Sequence, residues 1–215
     1  MTLALGADER LVPAREGRFE LRERASRFLG IALPCGSSSG ASETLSRWRR
    51  EFHDASHVAF AWRIGPPDRL VARSSDAGEP SGSAGKPIAL AIESAALSDV
   101  LVGVVRWFGG TKLGTGGLAR AYRTAAAGAL AAAGSRVEAD TRIVRVSCPW
   151  SRIGDLRRLV RPPEVAIVSE TFAEEAAVRL AVFRSRVPAL AAALEEARLP
   201  YAIERGEDPG PDSRG

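Results

Sequence analysis

The sequence contains few cysteines, histidines and lysines, and these shortages exclude several kinds of site. Its 215 residues include two cysteines and two histidines. Cys35 and Cys148 are far apart, which fits neither a disulfide framework nor a zinc-binding spacing. His53 and His57 lie four residues apart, but the intervening DAS lacks the glutamate of a zinc-protease motif. We therefore expect two ordinary, part-buried thiols, no metal site and no cofactor.

Long hydrophobic runs are also missing. The longest apolar stretches, AAAGALAAAG among them, are too short and too rich in alanine to span a membrane. The first twenty residues carry acidic side chains and lack the apolar core of a signal peptide. The composition, 45% hydrophobic and 26% charged, is typical of globular proteins. We expect a cytoplasmic protein without a membrane partner.

The charge balance is mildly basic. The net charge is +4, and of the 30 basic residues only Lys86 and Lys112 are lysines. A chain of this charge tolerates an anionic partner without demonstrating one. Both lysines lie in glycine-rich segments, SGSAGKPI and GGTKLGTGGLAR, which makes these two segments the first candidates for a binding site.

The pattern of the sequence changes near residue 141, which predicts two domains. Before it, HVAFAWRIG alternates as a strand with Val58, Phe60 and Trp62 on one face. After it, the order of elements is β-α-β-β-α-β, the signature of a ferredoxin-like domain. We predict an α+β fold with an N-terminal extension over 1–17, a first domain over 18–140, a ferredoxin-like domain over 141–205 and a disordered tail over 206–215.

Each glycine-rich loop precedes a predicted helix. The first helix follows Pro87 and carries the apolar stripe Ile88, Ala91, Ile92 and Ala95. The second helix runs to about Ala133, with an inward face of Leu118, Ala121, Tyr122, Ala125 and Ala129.

Two familiar nucleotide-binding motifs fail on inspection. A Walker loop fails because Gly85-Lys86 is followed by Pro87 and the upstream glycine position holds Pro80. GTGGLA fits the loose dinucleotide pattern, but a long segment separates it from Arg106 at the end of the preceding strand. Neither motif assigns a nucleotide.

Catalysis is chemically conceivable in the segment SSDAGEP, where a serine or a pair of carboxylates could act. Loops rich in Ser, Asp, Gly and Pro more often form turns. No base or orienting residue can be named, so we assign no catalytic residue and no enzymatic activity.

Anion binding is the third possibility. N–H groups at a helix start, together with the positive end of the helix dipole, suit a phosphate or a carboxylate. The alternative is that the glycines form tight turns and the lysines are solvated, and both interpretations stay open. The candidate residues for binding an anion or nucleic acid are Arg73, Ser75, Asp76, Glu79, Ser81, Gly82, Lys86, Arg106, Trp107, Gly109, Gly110, Lys112, Gly114, Gly116, Gly117 and Arg120.

The same segments resemble the Impact/YigZ family. RSSDAGEPSGSAGKPI and VGVVRWFGGTKLGTGGLARAY, with SRF and HVAFAWRIG upstream, are similar to that family's signature over about residues 18–130. The resemblance implies a first domain of the β-α-β type seen in the second domain of ribosomal protein S-five. It also implies a ferredoxin-like second domain, so that the pair would be similar to domains four and five of elongation factor G.

The resemblance also implies a role in the regulation of translation. Eukaryotic relatives restrain a starvation-activated translation-initiation kinase through its ribosome-associated activator, and fold analogy suggests nucleic-acid or ribosome binding for bacterial members. We predict a translation-associated protein that contacts RNA or a ribosome-associated translation factor through its glycine-rich loops. A small-ligand-binding protein or enzyme with an anion site at these loops is one alternative. A protein-interaction module with purely structural loops is another.

In the RNA-binding hypothesis, Lys86, Arg106, Lys112 and Arg120 meet phosphates and Trp107 offers a stacking face. Three positions depart from the family pattern. Ala77 stands where a second aspartate is common, Trp107 replaces a tyrosine, and Val58 stands where a histidine is frequent. The alanine weakens any role that needs paired carboxylates.

Overall fold

The computed structural model describes residues 5–172 and 175–204. These residues form two compact units, the first being Arg10–Glu138 and the second comprising residues 5–9 and 139–204. Both units combine helices with antiparallel sheets, so the predicted α+β class is confirmed. A strand, β1 (Glu9–Pro13), lies in the segment expected to be an extension, and it pairs with β7 (Ser135–Ala139). The tail expected over 206–215 falls outside the described residues.

The first unit is built on a five-stranded antiparallel sheet with β6 at its centre. The strand order is β2-β3-β6-β4-β5, and its strands are β2 (Gly17–Glu23), β3 (Ser26–Pro34), β4 (His57–Ile64), β5 (Val71–Ser75) and β6 (Val100–Trp107). The first seven residues of β6 are buried because helices cover both faces of the sheet, which explains why its first six residues, 100–105, are apolar without alternation.

One face of the sheet packs against α1 (Ser38–Glu51). Trp48 of this helix is 2% exposed and lies over Gly103, where an added Cβ would come within 2.4 Å of the indole ring. Val58, Phe60 and Trp62 share this face, as the alternating pattern predicts. The absence of a side chain at Gly103 therefore makes room for the largest residue of this core.

The other face packs against α2 (Gly85–Ser94) and α3 (Gly114–Ala133). It carries small residues, and α3 comes so close that a Cβ at Gly30 would lie 2.2 Å from the Ala125 carbonyl oxygen. The predicted inward residues of both helices are buried, except that Ala95 is only partly buried. Small side chains on both surfaces allow this close approach of helix and sheet.

Strand register places the beginnings of α2 and α3 at the same end of the sheet. His57, the first residue of β4, pairs with Arg106 near the end of β6, and Phe60 pairs with Ser75 at the end of β5. The loops that follow β5 and β6 therefore leave the sheet at the same edge, one on each side of the start of β4. These are the two glycine-rich loops.

The second unit has the predicted β-α-β-β-α-β order. Its elements are β8 (Thr141–Cys148), α4 (Ile153–Leu159), β9 (Val165–Phe172), β10 (Ala176–Phe183), α5 (Val187–Glu196) and β11 (Tyr201–Ile203). All neighbouring strands are antiparallel in the order β11-β8-β10-β9, which is the split β-α-β arrangement of ferredoxin-like domains. Alternate residues of β8 and β10 form its core with α4 and α5.

The two cysteines are free and buried, one in each unit. Burial raises the pKa of both the Cys35 and the Cys148 thiols, so neither has the thiolate character of a reactive cysteine. Over residues 5–172 and 175–204, no helix is both long and apolar enough to cross a membrane.

Candidate anion-binding site

A cavity of about 490 Å³ lies in the first unit where α3 begins. Its wall is formed by the start of β4, the end of β6 and both glycine-rich loops. The lining residues are Ser56, His57, Glu79, Pro80, Arg106, Phe108, Lys112, Leu113, Gly114, Thr115 and Leu118. The volume falls within the usual range of small-molecule sites.

A buried ion pair forms the floor of this cavity. Arg106 Nη1 donates to Glu79 Oε1 at 2.6 Å, and the two side chains are only 6% and 3% exposed. Tyr122, whose side chain is fully buried, donates its hydroxyl to the same oxygen at 2.7 Å. Burial, together with this bond to a carboxylate, raises the pKa of Tyr122 far above its ordinary value. Tyr122 therefore stays a donor at every physiological pH.

Arg106 is held from several sides. Its Nη2 donates to Ser26 Oγ at 3.3 Å, and its guanidinium carbon lies 5.5 Å from the ring centre of Phe28 and 5.3 Å from that of Phe108. Its Nε is buried and has no hydrogen-bond partner among the described residues. The Arg106 guanidinium is thus held in a fixed position at the floor of the cavity.

His57 presents one ring nitrogen to Glu79. Its Nδ1 lies 2.9 Å from the carbonyl oxygen of Ala77, and because a carbonyl only accepts, Nδ1 must carry the proton. Its Nε2 lies 4.0 Å from Glu79 Oε1. One ring nitrogen of His57 is thus fixed by the backbone, and the other lies beside a carboxylate. Ala77 adopts a left-handed φ of 50° where it presents that carbonyl.

The start of α3 is open. No side chain in the described part of the chain caps this helix, and its first turn contains no acidic residue. Gly110 and Gly114 have φ values of 90° and 70°, and an added Cβ at either would meet no atom within 4 Å. These glycines are thus required by backbone conformation and leave space around the helix start. The exposed Lys112 lies between them.

The start of α2, in contrast, is already filled by a carboxylate of the chain itself. Asp76 accepts hydrogen bonds from the backbone N–H groups of Gly82, Ala84 and Gly85 at 2.8 to 2.9 Å. Burial alone would raise the pKa of Asp76, but these three donors lower it overall. The loop SGSAGKP therefore has the chemistry of an anion site, and its anion is Asp76.

The structure brings together only some of the predicted site residues. Glu79, Arg106, Lys112 and Gly114 line the cavity, and Gly116 and Gly117 follow in the first turn of α3. The others lie elsewhere. Arg73 and Ser75 lie on the edge strand β5, Asp76, Ser81 and Gly82 in the loop before α2, and Lys86 in the first turn of α2. Gly109 and Gly110 lie in the loop before α3, and Arg120 lies on the exposed side of that helix.

Trp107 lies on the opposite face of the sheet from Arg106, because neighbouring residues of a strand point to opposite faces. The Arg27 guanidinium is 3.8 Å from the centre of its ring system, and the Phe52 ring meets it edge-on at 6.0 Å. One face of the indole is thus occupied by a side chain of the same molecule. Anion binding and stacking at the predicted residues stay predictions.

The residues that sequence reasoning did not assign to the site include Ser26, His57, Phe108 and Tyr122. Tyr122 belonged to a helix stripe and was expected to be core, which it is. A buried tyrosine needs a partner for its hydroxyl, and that requirement was the available signal. Within residues 5–172 and 175–204, no three His, Cys, Asp or Glu side chains are grouped so that they could hold a metal ion.

Comparisons with known proteins place these features in a family. Residues 24–130 match the model of the Impact N-terminal domain. An "IMPACT family member" of Haemophilus influenzae is 30% identical over 189 residues, covering 87% of this chain and 92% of that protein. A Thermus thermophilus member is 44% identical over 136 residues, covering 63% and 72%. A crystal structure of a hypothetical protein is 25% identical, with a TM-score of 0.65 over 94% of this chain and 99% of that one.

Proposed function

Because the chain belongs to the IMPACT family, as its signature segments predicted, we propose that it is a cytoplasmic, translation-associated protein that binds RNA at the cavity where its glycine-rich loops meet. The translation-related part follows from what the family resemblance implies. The RNA-binding part rests on one observation, the open start of α3 beside exposed cations.

The open helix start supplies donors for a phosphate. The first N–H groups of a helix have no partner within the helix, and the helix dipole adds partial positive charge there. In α1 such a donor is used by Ser37, which accepts from Gly40 N–H at 3.1 Å, and in α2 the donors are used by Asp76. In α3 no side chain among the described residues takes this place. An external anion would complete it.

Exposed cations surround the same point. Lys112 lies two residues before the start of α3, and the exposed Arg24 donates to the Lys112 carbonyl oxygen at 3.3 Å. The Glu79 charge is balanced by Arg106, so these two exposed cations set the sign of the surface. A phosphate group of an RNA backbone would therefore find both charge and hydrogen-bond donors.

The test compares the two lysines of the chain. Lys112→Ala removes a cation that lines the cavity, whereas Lys86→Ala removes a cation from the loop that Asp76 already occupies. RNA binding is measured by fluorescence anisotropy across a series of salt concentrations. Each lost phosphate contact lowers the slope of log K against log salt by about 0.7 for single strands.

We expect the salt slope of Lys112→Ala to fall by the amount of about one phosphate contact, and the salt slope of Lys86→Ala to equal that of the wild type. Wild-type protein that shows no salt-dependent affinity for RNA would refute the function. Equal losses in both variants would place the contact outside the cavity.

A small-ligand-binding protein is a second candidate, favoured by the size of the cavity and by the buried charges that line it. Its volume of about 490 Å³ and its buried Glu79 and Arg106 resemble a ligand pocket more than an open RNA groove. Thermal shifts with a panel of anionic metabolites, together with unchanged melting in RNA, would favour this candidate over the first.

A further inference from the structure

We propose that the cavity binds the phosphate monoester of a single nucleotide, either at the end of an RNA chain or in a free mononucleotide. The RNA source rests on the proposed function, whereas the free nucleotide does not. Three observations carry the proposal: an unfilled anion position, a buried carboxylate that lines the cavity with one oxygen unused, and a volume that suits one nucleotide.

One of the two glycine-rich loops already binds an anion, the carboxylate of Asp76. At α2, a loop of glycines and serines directs three N–H groups at one carboxylate. At α3, a second glycine-rich loop leads to a twenty-residue helix without a side-chain cap or an acidic first turn in the described chain. The second site therefore lacks the anion that the first one holds. A phosphate monoester suits it because the group carries nearly two negative charges and three acceptor oxygens.

The buried Glu79 carboxylate points to a ligand independently of the helix start. Its side chain is 3% exposed, and its hydrogen bonds from Arg106 and Tyr122 both reach Oε1. Neither of these bonds uses Oε2. Because Glu79 lines the cavity, a donor on a ligand there can bind this oxygen.

The ligand therefore includes a hydrogen-bond donor. Glu79 and His57 Nε2 are both acceptors when the histidine is neutral, and they face each other across 4.0 Å. A hydroxyl or amino group between them would donate to one of them. A nucleotide has such groups on its ribose and on several bases, attached to the phosphate that the α3 start would hold. Inorganic phosphate has no ribose or base that could reach this position while its phosphate lies at the α3 start.

The size of the cavity limits the ligand to about one nucleotide. Its volume is about 490 Å³, and an apolar wall of Pro80, Phe108, Leu113 and Leu118 accompanies the polar groups. Phe108 is 48% exposed and can contact a base or ribose. A strand of several nucleotides needs a longer groove, so RNA would enter by its end.

The first experiment compares ends. One labelled oligoribonucleotide is prepared with a 5′-phosphate, with a 3′-phosphate and with hydroxyls at both ends, and a nucleoside monophosphate and inorganic phosphate are titrated separately. We expect at least a tenfold tighter Kd for one phosphorylated end and for the nucleoside monophosphate than for their unphosphorylated counterparts, and weaker binding of inorganic phosphate.

The outcomes separate this inference from the proposed function. Equal binding of all three RNAs would overturn the inference and leave RNA binding intact. Binding of the mononucleotide without any RNA would support the inference with the free nucleotide as source, while overturning RNA binding. If neither binds, both fail.

A matched pair of variants tests the position of the phosphate. Thr115→Asp places a carboxylate at the second residue of α3, on the cavity wall, whereas Ser39→Asp makes the same change at the second residue of α1, on the other face of the sheet. An acidic residue in the first turn favours a helix, so neither variant should melt below the wild type. We expect Thr115→Asp to weaken monophosphate binding at least tenfold and Ser39→Asp to change it less than twofold. Unchanged binding by Thr115→Asp would overturn the proposal.

Discussion

Replacing Arg106 by methionine should destabilise the first unit by about 3–5 kcal/mol, because it leaves the Glu79 carboxylate as an uncompensated charge in the interior. The structure gives the basis for this magnitude. The two side chains are 6% and 3% exposed and are joined by a hydrogen bond of 2.6 Å. Removing one partner of such a pair costs far more than the net value of the pair itself.

A double-mutant cycle isolates the interaction. Glu79→Gln keeps an acceptor for the Tyr122 hydroxyl but leaves Arg106 without its counter-charge. The double variant contains neither charge, so its loss should fall short of the sum of the single losses by at least about 2 kcal/mol. The free energy of unfolding is measured by urea titration, followed by tryptophan fluorescence.

Tryptophan fluorescence suits this measurement because Trp48, Trp62 and Trp107 belong to the first unit and Trp150 alone to the second. Losses that add to within about 0.5 kcal/mol would refute the reasoning, because additive effects are those of residues that do not interact. Single losses below about 1 kcal/mol would show that the two charges are hydrated.

Two further changes test the loops and the packing. Asp76→Ala should cost about 1–2 kcal/mol at neutral pH by uncapping α2. Because the fold lowers the pKa of Asp76, this contribution is present above the ordinary carboxyl range and is lost as pH falls through the folded pKa. The melting temperatures of wild type and variant should therefore converge in acid. A difference that stays constant with pH would contradict this. Gly30→Ala should lower the free energy of unfolding by about 1–3 kcal/mol or more, because its Cβ would lie 2.2 Å from the Ala125 carbonyl oxygen. Gly128→Ala is the control, because the atoms nearest to its added Cβ belong to the exposed Phe19 ring and not to the backbone. Its free energy of unfolding should fall by less than about 1 kcal/mol in the same urea titration. Similar losses in the two variants would argue against backbone crowding at Gly30.

The burial pattern of this fold could be predicted because it is periodic in the sequence. Val58, Phe60 and Trp62 alternate along β4, and the inward residues of α3 recur every three or four positions. Such patterns depend only on neighbours along the chain. The separation of Arg106 and Trp107 onto opposite faces follows from the same period, so one contact surface could not hold both.

The site itself depends on contacts between distant segments, which a single sequence does not encode locally. Glu79 and Arg106 are 27 positions apart, and Tyr122 is 43 positions from Glu79. The two glycine-rich loops look alike in composition, yet only the loop before α2 holds its own anion. That difference arises from the path of the backbone that carries Asp76 across the start of α2.

The ends of the first unit meet. Its first and last residues, Arg10 and Glu138, are joined by a hydrogen bond of 3.0 Å, and Arg10 Nε also binds Asp99 at 2.6 Å. Topologically the unit is an insertion: the chain enters and leaves it at one place, and the flanking residues Asp8 and Asp140 are themselves hydrogen-bonded. A unit of this kind can be exchanged as a cassette, or circularly permuted by a short link between its ends, without a change in its strand order.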